Sequence, residues 1–155
     1  MDSLYKNYTD PNKDIYLKLD DQTNAFWEWS KNQKQILEWE TDYNDWNLIY
    51  ALTQEIFDTT RYDDWEVRTI NNLLYIIARD NECETIIEQL IGQPQSFISL
   101  SIEALRYPDS EARCQFAHYL SKIANQYIEG IQGFNVPNVI RLCNLDSNEL
   151  FRYLK

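Results

Sequence analysis

Residues 63–91 read DDWEVRTINNLLYIIARDNECETIIEQLI, and the spacing of their apolar side chains decides the fold class. Val67, Ile70, Leu73, Leu74, Ile77 and Ala78 recur at three- and four-residue steps. That period gathers them on one face of a helix, whereas a strand would need alternation. Asp63 or Asp64, ahead of the stripe, suits an N-cap, because a short side-chain oxygen can accept from the amides that a first helical turn leaves without partners. Arg79, Asp80 and Asn81 break the pattern, a shorter run of Ile86, Ile87, Leu90 and Ile91 follows, and Gly92 ends it. Two helices joined by so few residues must pack antiparallel, so the stretch predicts a helical hairpin.

Working outward, the same period recurs on both sides. Toward the N-terminus, Pro11 to Leu19 reads as a short helix with Asp10 as cap. Asp21 or Thr23 then caps a second helix through about Trp39, with Ala25, Phe26, Trp29, Ile36 and Leu37 in its stripe. Asp42 to Asp45 reads as a turn, followed by a helix carrying Trp46, Ile49, Tyr50, Leu52, Thr53, Ile56 and Phe57. Toward the C-terminus, Phe97, Ile98, Ser101, Ile102 and Leu105 mark a helix that must end before Pro108, because the proline ring drives Tyr107 out of helical geometry. Asp109 restarts the chain, and a stripe from Ala112 through Phe116, Leu120, Ile123 and Ile128 runs to Gly130 or Gly133. Pro137 to Cys143 and Ser147 to Leu154 are two further short helices. The expectation is one all-α domain over residues 1–155, its antiparallel hairpins stacked as a short solenoid or gathered in an irregular bundle.

A repeat argues for the stack. Asp64-Trp65-Glu66-Val67-Arg68 and Asp109-Ser110-Glu111-Ala112-Arg113 share the pattern D-x-E-(small apolar)-R and lie 45 residues apart. Such a pattern opening a helix, followed by a Leu-rich stripe and a short helix ending in Leu-Ile, resembles a HEAT repeat over about residues 62–130. The resemblance implies that Asp64 and Asp109 close turns between paired helices, and that Arg68 and Arg113 reach toward a neighbouring repeat. The N-terminal third departs from the pattern.

Charge is the second strong signal. The chain of 155 residues carries 25 acids against 14 Lys and Arg, a net −11. Residues 38–105 hold fourteen of those acids against only Arg61, Arg68 and Arg79, while both ends are nearly neutral. Binding to phosphate backbones or anionic lipid depends on releasing counterions with basic side chains, so direct nucleic-acid and membrane partners are disfavoured. A basic protein partner is favoured, since a field of one sign steers an opposite surface toward it.

Chemistry is sparse by comparison. Three Gly in total cannot build a phosphate loop, and no nucleophile elbow or metalloprotease motif is present. The single His, His118, lies four residues after Cys114 on one helix face, but no third or fourth ligand is in register, so no metal or other cofactor is expected. An acidic setting also raises a thiol's pKa, which argues against Cys114 as a nucleophile. Three cysteines without a C-x-x-C pair, and a start lacking a basic-then-apolar leader, point to the cytoplasm and not to a disulfide framework.

The expected site is therefore a binding face and the protein is not expected to be an enzyme. Its carboxylates are Glu38, Glu40, Asp42, Asp45, Asp63, Asp64, Glu82 and Glu84, with Trp46 and Trp65 as aromatic anchors. In size, acidity and want of catalytic residues the chain is similar to bacterial toxin-immunity proteins, and to acidic phage inhibitors that mimic nucleic acid. That similarity implies an inhibitor that occludes a basic toxin or nuclease domain. The alternative is a HEAT-like scaffold or adaptor without an inhibitory role.

Overall fold

The structure, a computed structural model, describes residues 14–33 and 38–127, with residues 121–127 as backbone alone. Every regular element among them is helical: α1 Ile15–Lys31, α2 Trp39–Asp42, α3 Trp46–Thr59, a 3₁₀ turn at Tyr62–Asp64, α4 Val67–Arg79, α5 Thr85–Leu90, α6 Pro94–Arg106 and α7 Ser110–Tyr127. None of these helices is long and apolar enough to cross a membrane. The helices expected at Pro137 to Cys143 and Ser147 to Leu154 lie outside the described residues, as do Ile36 and Leu37.

The central helix is α4. It packs against α1 on one side and α6 and α7 on the other, while α3 packs on α1 and α5. Leu73, Ile76 and Ile77 of α4 have no exposed surface, and one apolar core runs from Leu19 and Phe26 of α1 through α3, α4, α5 and α6 to Phe116 and Tyr119 of α7. Each fully buried Leu, Ile or Phe side chain of that core contributes about 1.5–3 kcal/mol relative to staying exposed.

Three boundaries differ from expectation, while the start expected at Asp10 and Pro11 and the end expected at Gly130 or Gly133 lie outside the described residues. The break expected between Leu19 and Thr23 is absent: α1 runs on through Asp21 and Thr23, and the Thr23 hydroxyl donates to the Leu19 carbonyl at 2.8 Å instead of capping a helix. Beside them, Asp20 is buried against α4. Its carboxylate accepts from Arg68 Nε at 2.6 Å, from Arg68 Nη2, from Asn72 at 3.0 Å and from Asn24 at 3.2 Å, which clips α1 to α4. Asp14 is the cap that α1 uses, accepting from the Tyr16 amide at 2.8 Å. At the other end α1 stops at Lys31, and Trp39 belongs to the separate α2. Asp64 turns back to accept from the Arg61 amide at 2.9 Å, closing the 3₁₀ turn, so α4 begins later, behind Glu66.

Val67 opens α4 on its solvent side and is 74% exposed, so it does not belong to the core stripe. The Pro108 reading holds: Tyr107 is extended at φ −71°, ψ 138°, and Asp109 then caps α7 by accepting from the Glu111 amide at 3.0 Å. Asp109 also takes the Arg79 guanidinium, which fixes the start of α7 to the end of α4. Arg113 donates to the Tyr107 carbonyl within its own turn, whereas Arg68 crosses to α1.

Candidate functional site

The expected acidic face divides in two. Asp45 precedes α3 and the 3₁₀ turn with Asp63 and Asp64 follows it, so 14 residues of helix, about 20 Å, separate them. In exchange, Glu40 is brought to the α4–α5 loop, 42 residues away in sequence, where its Oε1 accepts from the amides of Glu82 at 2.8 Å and Cys83 at 3.2 Å. Glu38, Glu40, Asp42 and Asp45 from α2 and its flanks therefore share one end of the molecule with Glu82 and Glu84.

The roles within this group differ. Glu38, Asp42 and Glu82 are exposed, and Asp45 is half-buried. Glu40 is structural: besides the two amides held by Oε1, its Oε2 is buried with no hydrogen-bond partner among the described residues. Glu84 is the N-cap of α5 in the left-handed region, φ 54°, and its Oε1 lies 3.4 Å from His118 Nδ1 on α7.

Under the loop sits Asp80, which has no exposed surface. Its carboxylate accepts from the Tyr50 hydroxyl at 2.8 Å and from the Ile86 amide at 2.6 Å, tying the end of α4 to α3 and to the first turn of α5. Burial pushes this carboxyl up from its ordinary range to about 7, with Glu40 and Glu84 adding to the rise, while the Ile86 and Tyr50 hydrogen bonds oppose it. Burial also raises the Cys83 thiol, again with Glu40 and then Asp80 adding.

The two expected anchors are core residues instead. Trp46 is 3% exposed and donates its indole N–H to the Trp39 carbonyl at 2.6 Å. Trp65 is 6% exposed and donates to the Thr60 hydroxyl at 2.8 Å. Neither presents ring area to a partner, because each uses its polar edge to close a local turn. Trp46 joins an aromatic block around Phe26, whose ring centroid lies 5.1–5.9 Å from those of Trp29, Trp39, Tyr43, Trp46 and Tyr75. Burial, with Asp45 adding, pushes the Tyr43 hydroxyl within this block up to about 12. The exposed Trp is Trp27 of α1, under the Lys31 ammonium 3.0 Å from its ring centre.

Three cations among the described residues are paired with other acids. Lys31 pairs with Glu28, Arg68 with Asp20 and Arg79 with Asp109, and none of these ion pairs involves Glu38, Glu40, Asp42, Asp45 or Glu82. Cys114 and His118 both stand on the exposed side of α7.

A groove that sequence reasoning missed runs over the outer side of α4. It consists of two adjoining hollows of about 500 and 290 Å³ that share Asn71 and Tyr107. Tyr62, Val67, Ile70 and Leu74 floor the larger, with Glu103 and Arg106 at its rim, and Asn24, Trp27, Asn72 and Tyr75 line the smaller. The exposed Val67 was the available signal, since it falls on the helical stripe yet opens the helix. Compared with protein-family models, curated proteins and solved structures, the chain gives no match.

Proposed function

We propose that this chain is a non-catalytic, acidic protein-binding module that acts in the cytoplasm and neutralises a basic toxin or nuclease domain by covering its surface. The single observation that carries the reading is the segregation of charge. Glu38, Asp42, Asp45 and Glu82 converge from two separate segments on one end, while Lys31, Arg68 and Arg79 are consumed by other acids. A nuclease must be cationic where it holds phosphate, so an acidic cover competes for the same side chains that the substrate needs. The acidic end is the binding face in this reading, with Asp63 and Asp64 contributing only to the long-range field and Trp46 and Trp65 only holding the scaffold behind it.

We further infer a short stack of antiparallel hairpins similar to HEAT repeats. It is supported by the 45-residue spacing of the two D-x-E-x-R helix starts and by Arg68 reaching back to Asp20 on α1. The groove on α4 favours a second reading, a scaffold that docks a partner segment there with the acids serving solubility. Co-expression separates the two. An inhibitor restores growth to cells making the basic toxin domain encoded beside it and abolishes that domain's activity at equimolar ratio; undiminished toxin activity at excess chain rejects the inhibitor reading.

A further inference from the structure

We propose that the α4–α5 loop, residues 80–84, is a proton-operated latch, closed onto α3 and α5 while Asp80 carries a proton and opened when Asp80 ionises. The inference concerns how the loop is held and stands whether or not a partner binds the acidic end.

Geometry supplies the argument. Asp80 is fully buried, and among the described residues two donors reach its carboxylate, the Tyr50 hydroxyl of α3 and the Ile86 amide of α5. No Lys or Arg side chain among the described residues bonds to it. Arg79, its neighbour in the chain, turns away to Asp109 and lies over the rings of Tyr75 and Trp39. The other titratable groups around it are Glu40 from α2 and Cys83 and Glu84 from the loop. From α7 come the Gln115 amide, bonded to the carbonyls of Ile77 and Asp80, and His118, which lies at Glu84. Two hydrogen bonds do not offset burial of a full charge beside two more carboxylates, so the closed loop selects the neutral acid.

Ionisation must therefore bring Asp80 to water, and the loop is the cheapest route. Asn81, Glu82 and Cys83 are already exposed, and Glu84 is held at a positive φ that a non-glycine residue adopts at a cost. Local opening releases the Tyr50 hydroxyl, the Gln115 amide and the Ile86, Glu82 and Cys83 amides, whereas global unfolding exposes the whole core. The folded-state pKa of Asp80, about 7, lies above its ordinary value. Its contribution to stability is accordingly complete below the ordinary carboxylate range and is lost as pH rises through neutrality.

Hydrogen exchange of the Glu82, Cys83 and Ile86 amides across neutral pH, corrected for intrinsic base catalysis, reads the latch on the full chain. Measured from the ordinary carboxylate range upward, protection should fall by up to about tenfold per pH unit until Asp80 ionises near neutrality and level off above that; Asp80→Asn, whose oxygen can accept from the Ile86 amide while its NH2 donates to the Tyr50 hydroxyl oxygen, should make it flat. Carbon-13 NMR of the Asp80 carboxyl in the unsubstituted protein decides the matter even if that variant does not fold. A midpoint near neutrality, raised further in Tyr50→Phe, supports the latch. A midpoint in the ordinary carboxylate range, or protection that does not change between that range and neutrality, overturns it.

Discussion

Phe26→Ala is expected to remove more stability than any other single truncation in α1. Phe26 has no exposed surface, and five aromatic rings lie within 5.9 Å of its centroid, contributed by α1, α2, α3 and α4 and by Tyr43 between α2 and α3. Burial of such a side chain alone is worth about 1.5–3 kcal/mol. Rings from several elements cannot all collapse into the space left behind, so the residual cavity adds to the loss. The expected total is about 3–5 kcal/mol, a large share of the roughly 5–15 kcal/mol that holds an ordinary domain. Trp27 is the internal control. It is the next residue on the same helix, but it is 46% exposed and its main contact is the Lys31 ammonium, so Trp27→Ala should cost no more than about 1 kcal/mol. Urea unfolding followed by circular dichroism measures both, with an unchanged slope required for the comparison. Equal losses for the two variants, or a loss below about 1 kcal/mol for Phe26→Ala, would refute the placement of the aromatic block.

Three further outcomes follow from local geometry. Asp20→Ala strips the acceptor from Arg68, Asn72 and Asn24, but Arg68 is two-thirds exposed and regains water, so urea midpoints should register about 1–2 kcal/mol and not the 3–5 of a broken buried pair. At Asp109, burial works to raise the carboxyl, yet the hydrogen bonds from Arg79 and the Glu111 amide outweigh it and hold it below its ordinary value. Its stabilisation is present above that ordinary value and lost as pH falls through the lowered one, so Arg79→Ala should flatten the acid limb of a melting-temperature profile and leave the neutral limb's shape unchanged. The Cys83 thiol, raised by burial and then by Glu40 and Asp80, should alkylate more slowly at neutral pH than a free model thiol, and Glu40→Gln should speed it; a rate indifferent to that substitution contradicts the assignment.

What the sequence made legible was set by local period. The stripe in residues 67–78 and the extended Tyr107 before Pro108 depend on neighbours a few positions away, and both helices are found where the pattern puts them. What it hid depends on partners far along the chain. Asp20 carries no signal in the local pattern because its partners, Arg68 and Asn72, lie 48 and 52 residues on. Glu40 reads as a free surface charge because the Glu82 amide that it holds is 42 residues away. Composition correctly marked residues 38–105 as acidic, but a linear stretch could not show that α3 carries Asp63 and Asp64 to the opposite end from Asp45. Nor could it show that Trp46 and Trp65 turn inward, since a large aromatic beside carboxylates looks alike in a core and at an interface.

The central claim is that one end of the molecule, and not its charge as a whole, holds a cationic protein. Calorimetric titration with the product of the adjacent gene, which the account requires to be a basic toxin domain, at low and high salt tests it most directly. The variants to compare are Glu38→Lys with Asp42→Lys, both exposed at that end, and Asp63→Lys, exposed at the other. The account predicts nanomolar binding that weakens with salt, a loss of at least about a hundredfold, or 2.7 kcal/mol, in the double variant, and only a small change for Asp63→Lys. Affinity indifferent to salt, or equal losses for reversals at the two ends, would contradict it.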